Sequence, residues 1–391
     1  MPPVRDPARM LSGSNVRRLA VLPILLILLA LGLSACVTDG PDRERLQSWG
    51  YVSWWLPAHA RDLRRSRFDR LAFFEVRLAT DGGIADRHGW PEQHHALRRA
   101  ARWSRVPLDV TVTLKGRDDF EALFSSPAAI ERLLATCLRL ADDPLVQGLQ
   151  IDVEHYDVSS PQALAGLRGF VPRLARALHA GSPRRSLSVF VPTGGAGLYD
   201  AASLAEVDWA VMQAYDAHWI SGPNAGPVAP LSGSEGITWE KVLAESRALG
   251  VPPERVIMTY PLYAYEWPVT ARDPRGATAG PAAITTLVKV HDRPMPEMAG
   301  NVEERVGLHG CSHDIRSGSS NYLYKRADGS WVSGWYEGAW SLLRKRDFVL
   351  RHDIAGIAFF VTGYDDFRLT AGLERDRAHR PTLPGAVQAC M

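Results

Sequence analysis

The sequence predicts an α/β protein, a (β/α)8 TIM barrel with a small α+β insertion between strands 7 and 8. Eight short apolar runs alternate with helical segments, as in proteins whose parallel strands are connected by helices. The 391 residues, 46% hydrophobic and 23% charged, have the composition of a globular domain. A doubly wound open sheet is the alternative, but no glycine-rich phosphate-binding turn follows the first strand.

The predicted strands are short runs rich in β-branched and aromatic residues. In chain order they are Gly50–Pro57, Leu71–Leu78, Leu108–Gly116, Gly148–Tyr156, Ser186–Pro192, Val207–Asp216, Arg255–Tyr265 and Ile354–Val361. Between them, apolar residues recur at helical spacing. The predicted helices begin near Pro91, Asp118, Pro161, Thr238 and Glu337.

A long segment between the seventh and eighth strands interrupts this alternation. Within it, aromatic runs flank Asp328-Gly329, as they do in a β-hairpin. We therefore predict an insertion at about residues 266–336 in a barrel domain that covers residues 48–375. Residues 376–391 are predicted to form a C-terminal tail.

The N-terminus has the pattern of an export signal. Two arginines precede the apolar run Leu19–Leu33, which contains Pro23 and is too short to span a bilayer comfortably. The run ends in "LSAC", which resembles the lipobox of bacterial lipoproteins. The resemblance implies removal of residues 1–35, lipidation of Cys36 and a tether over residues 36–47. Val37, rather than Asp, follows Cys36, and this resembles the pattern of lipoproteins that are sorted to the outer membrane. The domain is then expected to face the periplasm or the cell surface. An uncleaved anchor helix is the alternative, and either implies an exported, membrane-attached domain.

The charge distribution gives no support for nucleic-acid binding, since the formal net charge is only +2. The one locally basic stretch, Arg61–Arg70, is interpreted as a solvated face or as a segment that lies near anionic lipid.

The cysteines after Cys36 have different predicted states. Cys137 lies in an amphipathic helix pattern and is predicted to be a buried free thiol. Cys311 and Cys390 are the plausible disulfide pair in an exported protein, with two free thiols as the alternative. The "HGCSHD" segment at 309–314 is interpreted as a polar loop, because no other residues complete a ligand set at zinc spacing. No metal or organic cofactor is predicted.

Two carboxylates interrupt the fourth predicted strand. Side chains alternate along a strand, so Gln150, Asp152 and Glu154 share one face, whereas Ile151 and Val153 share the other. In a barrel the polar face is turned inward, and Glu154 falls near the C-terminal end, where barrel enzymes place their chemistry. Burial and repulsion between the acids raise one pKa, which suits a general acid. The alternative is an acid pair that caps a strand end in solvent.

Several segments resemble the catalytic domain of glycoside hydrolase family 18, the chitinase family. "GLQIDVEHY" is similar to the family's catalytic strand, with the pattern DGxDxDxE followed by Tyr. "GYVSWW", "VTVTLKGRDDFEALF", "AVMQAYD", "VIMTYPLYAYEW" and "GIAFFVTGYDD" resemble its first, third, sixth, seventh and eighth strands, in family order. The resemblance covers about residues 48–370 and implies a barrel enzyme.

The resemblance also implies roles for individual residues. Glu154 becomes the proton donor to the glycosidic oxygen, and Asp152 orients the 2-acetamido group of the sugar. Tyr215 donates a hydrogen bond to the acetamido carbonyl, and Asp216 contacts the sugar or neighbouring tyrosines and acids. In this family the acetamido oxygen is the nucleophile, so no second nucleophilic carboxylate is required. The candidate substrate-binding residues are Asp216, Gln150, Gln213, Phe360 and Tyr51, the last because it shares a strand face with Trp55.

Three residues depart from the family pattern. Gln147 and Gln150 stand at the first and middle Asp positions. Gln150 is expected to hydrogen-bond Asp152 without taking up charge, so that Asp152 is more permanently ionised. Phe360 aligns with the family's Trp beneath the reactive sugar and still offers an apolar platform, but lacks the indole N–H.

Other aromatic residues are candidates for sugar stacking. Because neighbours on a strand face opposite ways, at most one of Trp54 and Trp55 is expected to line the cleft. Four tryptophans near the insertion are interpreted as packing residues, with sugar stacking as the alternative: Trp267, Trp331, Trp335 and Trp340.

The leading hypothesis is an exported lipoprotein that hydrolyses β-linked N-acetylglucosamine-containing glycans by a substrate-assisted retaining mechanism. Its expected partners are an N-acetylhexosamine polysaccharide or oligosaccharide and a membrane. A non-catalytic protein that binds chitin-like or peptidoglycan-like glycans on the same fold is the main alternative, and a scaffold lipoprotein with a decayed site is another.

Overall fold

Eight parallel strands form a closed barrel in the computed structural model, which describes residues 46–56, 60–65, 67–194, 197–290, 298–370 and 390. The barrel strands are β1 (Gln47–Ser53), β2 (Arg70–Leu78), β4 (Leu108–Lys115), β5 (Val146–Glu154), β6 (Ser186–Val191), β7 (Trp209–Met212), β8 (Val256–Pro261) and β15 (Gly356–Phe360). The barrel closes because β1 pairs in parallel with both β2 and β15. A short strand, β3 (Ile84–Asp86), extends β2 in the antiparallel direction.

The eight predicted strands are confirmed, although the first, sixth and seventh each end four residues earlier than predicted. The sixth stops at Met212, after which the Ala214 N–H donates to Thr259 Oγ1 (2.9 Å) rather than to the next strand's backbone. The predicted seventh strand is divided at Leu262, whose N–H donates to the Phe360 carbonyl (2.6 Å). Beyond this point β9 (Tyr263–Val269) enters a second sheet.

The helices of the described residues mostly lie between successive barrel strands. They are α1 (His95–Ser104), α2 (Arg117–Phe124), α3 (Pro127–Ala141), α4 (Pro161–Ala180), α5 (Ala201–Leu204), α6 (Trp239–Ala248), α7 (Val302–His309) and α8 (Ala339–Arg351). The helix predicted from Asp118 is in fact two, because Ser126 caps a new helix by accepting the Ala129 N–H (3.3 Å) and Pro127 opens it. The sequence did not predict α5 or α7.

The core lies between the barrel and its helices. Leu149, Ile151 and Val153 of β5 belong to it together with Phe170 and Leu174 of α4. The opposite, inward face of β5 carries the polar side chains, as the alternation predicted.

The interior at the N-terminal end of the barrel is filled by a charged pair. The Arg70 guanidinium lies over the rings of Trp49 and Trp209 and pairs with Asp109 (2.5 Å). The Arg70 side chain is only 11% exposed, so this one residue does not belong to the solvated or lipid-facing segment predicted for Arg61–Arg70, whose other arginines are exposed. The strand periodicity of β2 turns Arg70 inward.

The insertion is a six-stranded sheet between β8 and β15, with the order β11-β10-β9-β14-β13-β12. Its further strands are β10 (Ala283–Thr286), β11 (Met298–Asn301), β12 (Ser312–Asp314), β13 (Ser319–Lys325) and β14 (Trp331–Tyr336). The hairpin predicted around Asp328-Gly329 is formed by β13 and β14. The segment predicted as a polar loop contains β12, because it pairs with β13.

Two buried connections tie the insertion to neighbouring segments. Cys311 and Cys390, which the sequence left open as either a disulfide or two free thiols, form a disulfide with their Cα atoms 6.0 Å apart. Glu337 and Lys345, both fully buried, form an ion pair (2.6 Å), and Glu337 also accepts the Ser319 hydroxyl (2.6 Å). Cys137 is a buried free thiol, as predicted.

The tryptophans near the insertion differ in burial. Trp267 and Trp335 are fully buried and pack inside the insertion. Trp331 is half-buried beneath Arg272, and Trp340 stacks on His313 (4.4 Å between ring centroids). Their predicted packing role therefore fits the contacts of all four.

The predicted tether lies outside the described residues from Cys36 to residue 45, so the structure does not describe the predicted lipidation site. No helix within the described ranges is both long and apolar enough to cross a membrane. The boundaries predicted for the signal and the C-terminal tail remain predictions.

Candidate active site

A cavity of about 880 Å³ lies at the C-terminal end of the barrel strands. Most of its lining is aromatic, and its polar side chains are concentrated at the ends of β2, β4 and β5 and after β7. The lining residues are Tyr51, Trp54, Trp55, Phe74, Glu75, Gln93, Lys115, Asp152, Glu154, Tyr156, Phe190, Gln213, Tyr215, Asp216, Tyr263, Tyr265, Ile284, Phe360, Val361 and Tyr364. Such a combination of aromatic faces and a few polar groups is typical of a ligand site.

The two carboxylates of β5 both line this cavity. Asp152 is only 3% exposed, so the alternative of an acid pair in solvent is wrong. Its Oδ1 atom is buried and accepts no hydrogen bond from the described residues. An unsatisfied buried acceptor is costly, so this atom is suited to a donor supplied by a ligand.

Burial raises the pKa of Asp152 well above its usual range, and the neighbouring charge of Glu154 acts in the same direction. Lys115 opposes the increase, and Glu75 adds to it. The expectation that Asp152 is more permanently ionised is therefore wrong: desolvation and nearby acids favour its protonated form.

Gln150 lies beneath the catalytic candidates and is held by three neighbours. Its Oε1 accepts the hydroxyls of Tyr51 (2.7 Å) and Thr111 (3.3 Å), and its Nε2 donates to Ser188 Oγ (3.3 Å). Gln150 thus bonds to these three residues and not, as expected, to Asp152. It supports the inner wall of the barrel, and Tyr51 lines the cavity above it.

Glu154 ends β5 and forms an ion pair that sequence reasoning missed. Lys115 Nζ lies 3.0 Å from Glu154 Oε1, and the two side chains are 55% and 20% exposed. Burial opposes the charge of Lys115, but the carboxylates of Glu154 and Asp152 outweigh it and raise the Lys115 pKa. The pairing register of β4 and β5 sets Lys115 directly beside Glu154.

Tyr215 and Asp216 follow β7 and reach the same cavity. The Tyr215 ring stacks on Phe360 (6.1 Å between centroids, 18° between planes). Burial raises the Tyr215 pKa well above its usual range, and the charges of Glu154, Asp216 and Asp152 add to this. The predicted catalytic trio therefore forms one electrostatic cluster.

Asp216 is bound by two tyrosines of the insertion. Its Oδ1 accepts the hydroxyls of Tyr263 (2.6 Å) and Tyr265 (3.1 Å). Burial raises the Asp216 pKa to about 6, although these hydrogen bonds oppose the increase. Tyr263 and Tyr265 were not predicted as site residues, because only the folded insertion brings them to the loop after β7.

Gln213 is fixed at the side of the cavity. Its Oε1 accepts the Tyr156 hydroxyl (3.0 Å) and the Thr193 N–H (3.2 Å). Gln213 therefore connects the loops that follow β5, β6 and β7.

Aromatic rings form the remaining walls. Phe360 packs edge-on against Phe74 (5.1 Å) and Tyr51 (5.7 Å). Trp54 is 37% exposed and stacks on His88 (4.3 Å). Trp55 also lines the cavity, so the expectation that at most one of these tryptophans does so is wrong. The strand ends at Ser53, and the alternation of side chains ends with it.

The chain matches known proteins over most of this domain. The family model described as Glycosyl hydrolases family 18 matches residues 73–365. Chitinase 63 of Streptomyces plicatus is 25% identical over 197 residues, which are 44% of this chain and 31% of that protein. This chain thus spans less than a third of that relative's length.

Three solved structures have the same fold. The chitinase from Chromobacterium violaceum is 20% identical with a TM-score of 0.67, over 86% of this chain and 100% of that chain. The GH18 chitinase from Cycas revoluta in complex with (GlcNAc)3 is 20% identical with a TM-score of 0.68, over 85% and 99%. The spore cortex-lytic enzyme SleL of Bacillus megaterium is 16% identical with a TM-score of 0.67, over 87% and 76%.

These structural matches establish the shared fold, and the family model covers the barrel from within β2 to the end of β15, including β5 and the loop after β7. The chain belongs to glycosyl hydrolase family 18.

Proposed function

We propose that this glycoside hydrolase cleaves β-linked N-acetylglucosamine-containing glycans with retention of configuration, and that the substrate's acetamido oxygen is the nucleophile. The observation that carries the proposal is the buried, unpartnered Asp152 Oδ1 beside Glu154 in an aromatic cavity. An acetamido N–H supplies the donor that this atom lacks, and the sugar rings suit the aromatic walls.

In the first step, protonated Glu154 gives its proton to the glycosidic oxygen while the acetamido oxygen attacks the anomeric carbon. The glycosidic bond breaks, the leaving sugar departs as an alcohol, and an oxazolinium ion remains. In the complex the one proton shared by the acid pair resides on Glu154, so Asp152 is a carboxylate that accepts the acetamido N–H and stabilises the positive charge that develops there. The Tyr215 hydroxyl donates to the acetamido oxygen and so fixes its orientation.

In the second step, water attacks the anomeric carbon from the face that the leaving group vacated. Glu154, now a carboxylate, takes a proton from this water and returns to its protonated state. The acetamido group is regenerated, and the product keeps the β configuration. This sequence requires no second nucleophilic residue.

The test is the release of reducing ends from chito-oligosaccharides by the wild-type protein and by Glu154→Gln. We expect cleavage by the wild type, with the β-anomer as the first product in proton NMR, and little cleavage by the variant. An α-anomer as first product would contradict the acetamido mechanism, and equal rates would contradict the role of Glu154.

A non-catalytic glycan-binding protein is the second candidate. The Lys115–Glu154 ion pair favours it, because the Lys115 ammonium lies 3.0 Å from the Glu154 oxygen Oε1, on the carboxyl group that would have to donate the proton. If both proteins bind chito-oligosaccharides in calorimetry but neither cleaves them, this second candidate is correct.

We further propose that Cys36 is lipidated and holds the enzyme at a bacterial membrane, facing the periplasm or the cell surface. The support is the leader pattern that ends in "LSAC". Cys36→Ser should abolish incorporation of labelled palmitate and release the protein from the membrane fraction. Unchanged labelling would contradict the proposal.

A further inference from the structure

Lys115 is the one cation among the described residues that line the cavity. It ends β4, its ammonium lies 3.0 Å from Glu154 Oε1, and the ring of Phe74 lies beneath it at 5.5 Å. Because the pairing register opposes Lys115 to Glu154, their side chains leave neighbouring strands on the same side. The contact therefore follows from the barrel itself.

The other described titratable groups whose interaction with Glu154 is resolved are acids and phenols. Asp152 neighbours it on β5, and Asp216 and Tyr215 approach from the loop after β7. Further phenols approach from β1 and from the loops after β5 and β6: Tyr51, Tyr156 and Tyr199. Glu75 of β2 acts on Asp152 and Lys115. Among the described residues that line the cavity, Lys115 is the one that brings positive charge to Glu154.

A cation beside a proton donor has two opposite effects. Before the reaction it favours the ionised carboxylate, so a smaller fraction of the enzyme carries the proton that the leaving group needs. During the reaction it stabilises the carboxylate that forms as the proton leaves, which helps most when the leaving group is a poor one.

We propose that Lys115 is a positioning residue, which holds the Glu154 carboxylate and stabilises it as the proton leaves, and thereby confines hydrolysis to a lower pH range. The inference rests on the proposed function, since it assigns Glu154 as the proton donor. Nothing in the family resemblance assigns a role to Lys115.

The test compares pH–rate profiles of the wild type, Lys115→Met and Lys115→Arg. In Lys115→Met we expect the alkaline limb of kcat to move up by about one pH unit, a tenfold change in proton affinity. At acidic pH its kcat should be several-fold lower on chito-oligosaccharides, so the two profiles cross. Lys115→Arg keeps the positive charge, so the alkaline limb of its pH–rate profile should coincide with that of the wild type.

Two controls separate this role from a structural one. With a nitrophenyl glycoside, whose leaving group needs little proton donation, the acidic-pH loss in Lys115→Met should disappear. Lys325→Met removes a lysine that lies over Trp331 in the β13–β14 hairpin and should leave the profile unchanged. A loss in Lys115→Met that is equal at every pH and for both leaving groups overturns the proposal.

A second measurement tests the role of Lys115 even if the protein does not cleave glycans. The side-chain carboxyl carbon of Glu154, assigned by its absence in Glu154→Gln, can be titrated by carbon-13 NMR without substrate. Its midpoint should rise in Lys115→Met by about one pH unit and stay in place in Lys115→Arg. An unchanged midpoint in Lys115→Met refutes the inference, whether or not the protein cleaves glycans.

Discussion

The two ends of the barrel interior each contain an ion pair that includes a residue of β4, but the pairs differ in their surroundings. At the N-terminal end, Arg70 and Asp109 are 11% and 1% exposed, and two indole rings enclose the guanidinium. At the C-terminal end, Lys115 and Glu154 face a cavity. The first pair fills space, whereas the second leaves space for a ligand.

Charge balance separates the two ends further. At the N-terminal end, one guanidinium compensates one carboxylate, and Ser186 Oγ accepts a further hydrogen bond from Arg70 (3.0 Å). At the cavity, one ammonium faces Glu75, Asp152, Glu154 and Asp216. Substitutions at the first end should therefore reduce stability, whereas substitutions at the second should reduce activity.

The largest effect is expected from Arg70→Met, which leaves Asp109 buried without its cation. Removing one partner of a buried pair costs about 3–5 kcal/mol, so the free energy of unfolding in urea should fall by that amount. Arg65→Met is the matched control, because Arg65 and Asp366 form an exposed pair worth about 1 kcal/mol or less. If the two variants lose the same stability, the Arg70–Asp109 pair contributes no more to stability than an exposed ion pair does.

In contrast to Arg70→Met, Asp152→Asn should reduce activity and not stability. The amide keeps the size of the side chain but loses the charge that stabilises the intermediate, so kcat should fall by about 10²–10³-fold. Because burial and Glu154 raise the Asp152 pKa, ionisation destabilises the fold as pH rises through that pKa. At neutral pH the variant should therefore be more stable by about 1 kcal/mol, measured by urea unfolding. A variant that loses both activity and stability contradicts this account of Asp152.

A substitution at Asp216 tests whether the folded environment, which includes two tyrosines of the insertion, changes the pKa of a carboxyl group at the cavity. Its pKa is about 6 when folded, against an ordinary value of 3.8 for an aspartic acid, so the folded state holds more protons between these pH values. The Asp216 contribution to stability is therefore fully present below the unfolded pKa and is lost as pH rises through about 6.

Asp216→Asn removes this titration. Relative to wild type, the variant should gain up to about 3 kcal/mol in unfolding free energy between about pH 4 and pH 7. Asp81→Asn, at an exposed pair with Arg132, is the control. A stability difference between Asp216→Asn and wild type that does not change with pH would show that Asp216 keeps an ordinary pKa.

The parts of the molecule that the sequence predicted depend on local periodicity. The inward face of β5 could be predicted because the alternation continues unbroken to Glu154. The same rule failed for Trp54 and Trp55, because they follow the last residue of β1 and its alternation no longer applies. Local patterns thus predict residues inside an element better than residues just beyond its end.

What the sequence could not predict depends on pairing between distant segments. Lys115 reaches Glu154 through the register of β4 with β5, and a one-residue shift would turn one of the two side chains away. The tyrosines that bind Asp216 come from β9, more than 40 residues later in the chain. Gln150 accepts a hydrogen bond from Tyr51 across the barrel, and only closure of the barrel brings these two residues together.

The smallest effect is expected at the rim of the cavity, where Trp54 offers an exposed face supported by the His88 ring. Stacking of this kind contributes about 0.5–1.5 kcal/mol, so Trp54→Ala should raise KM for chito-oligosaccharides by about two- to tenfold and leave kcat unchanged. Trp103→Ala removes a more exposed indole on the outer helix α1 and should change neither constant. If KM rises equally in both variants, Trp54 does not contact the sugar, and the ligand occupies only the deeper part of the cavity near Asp152.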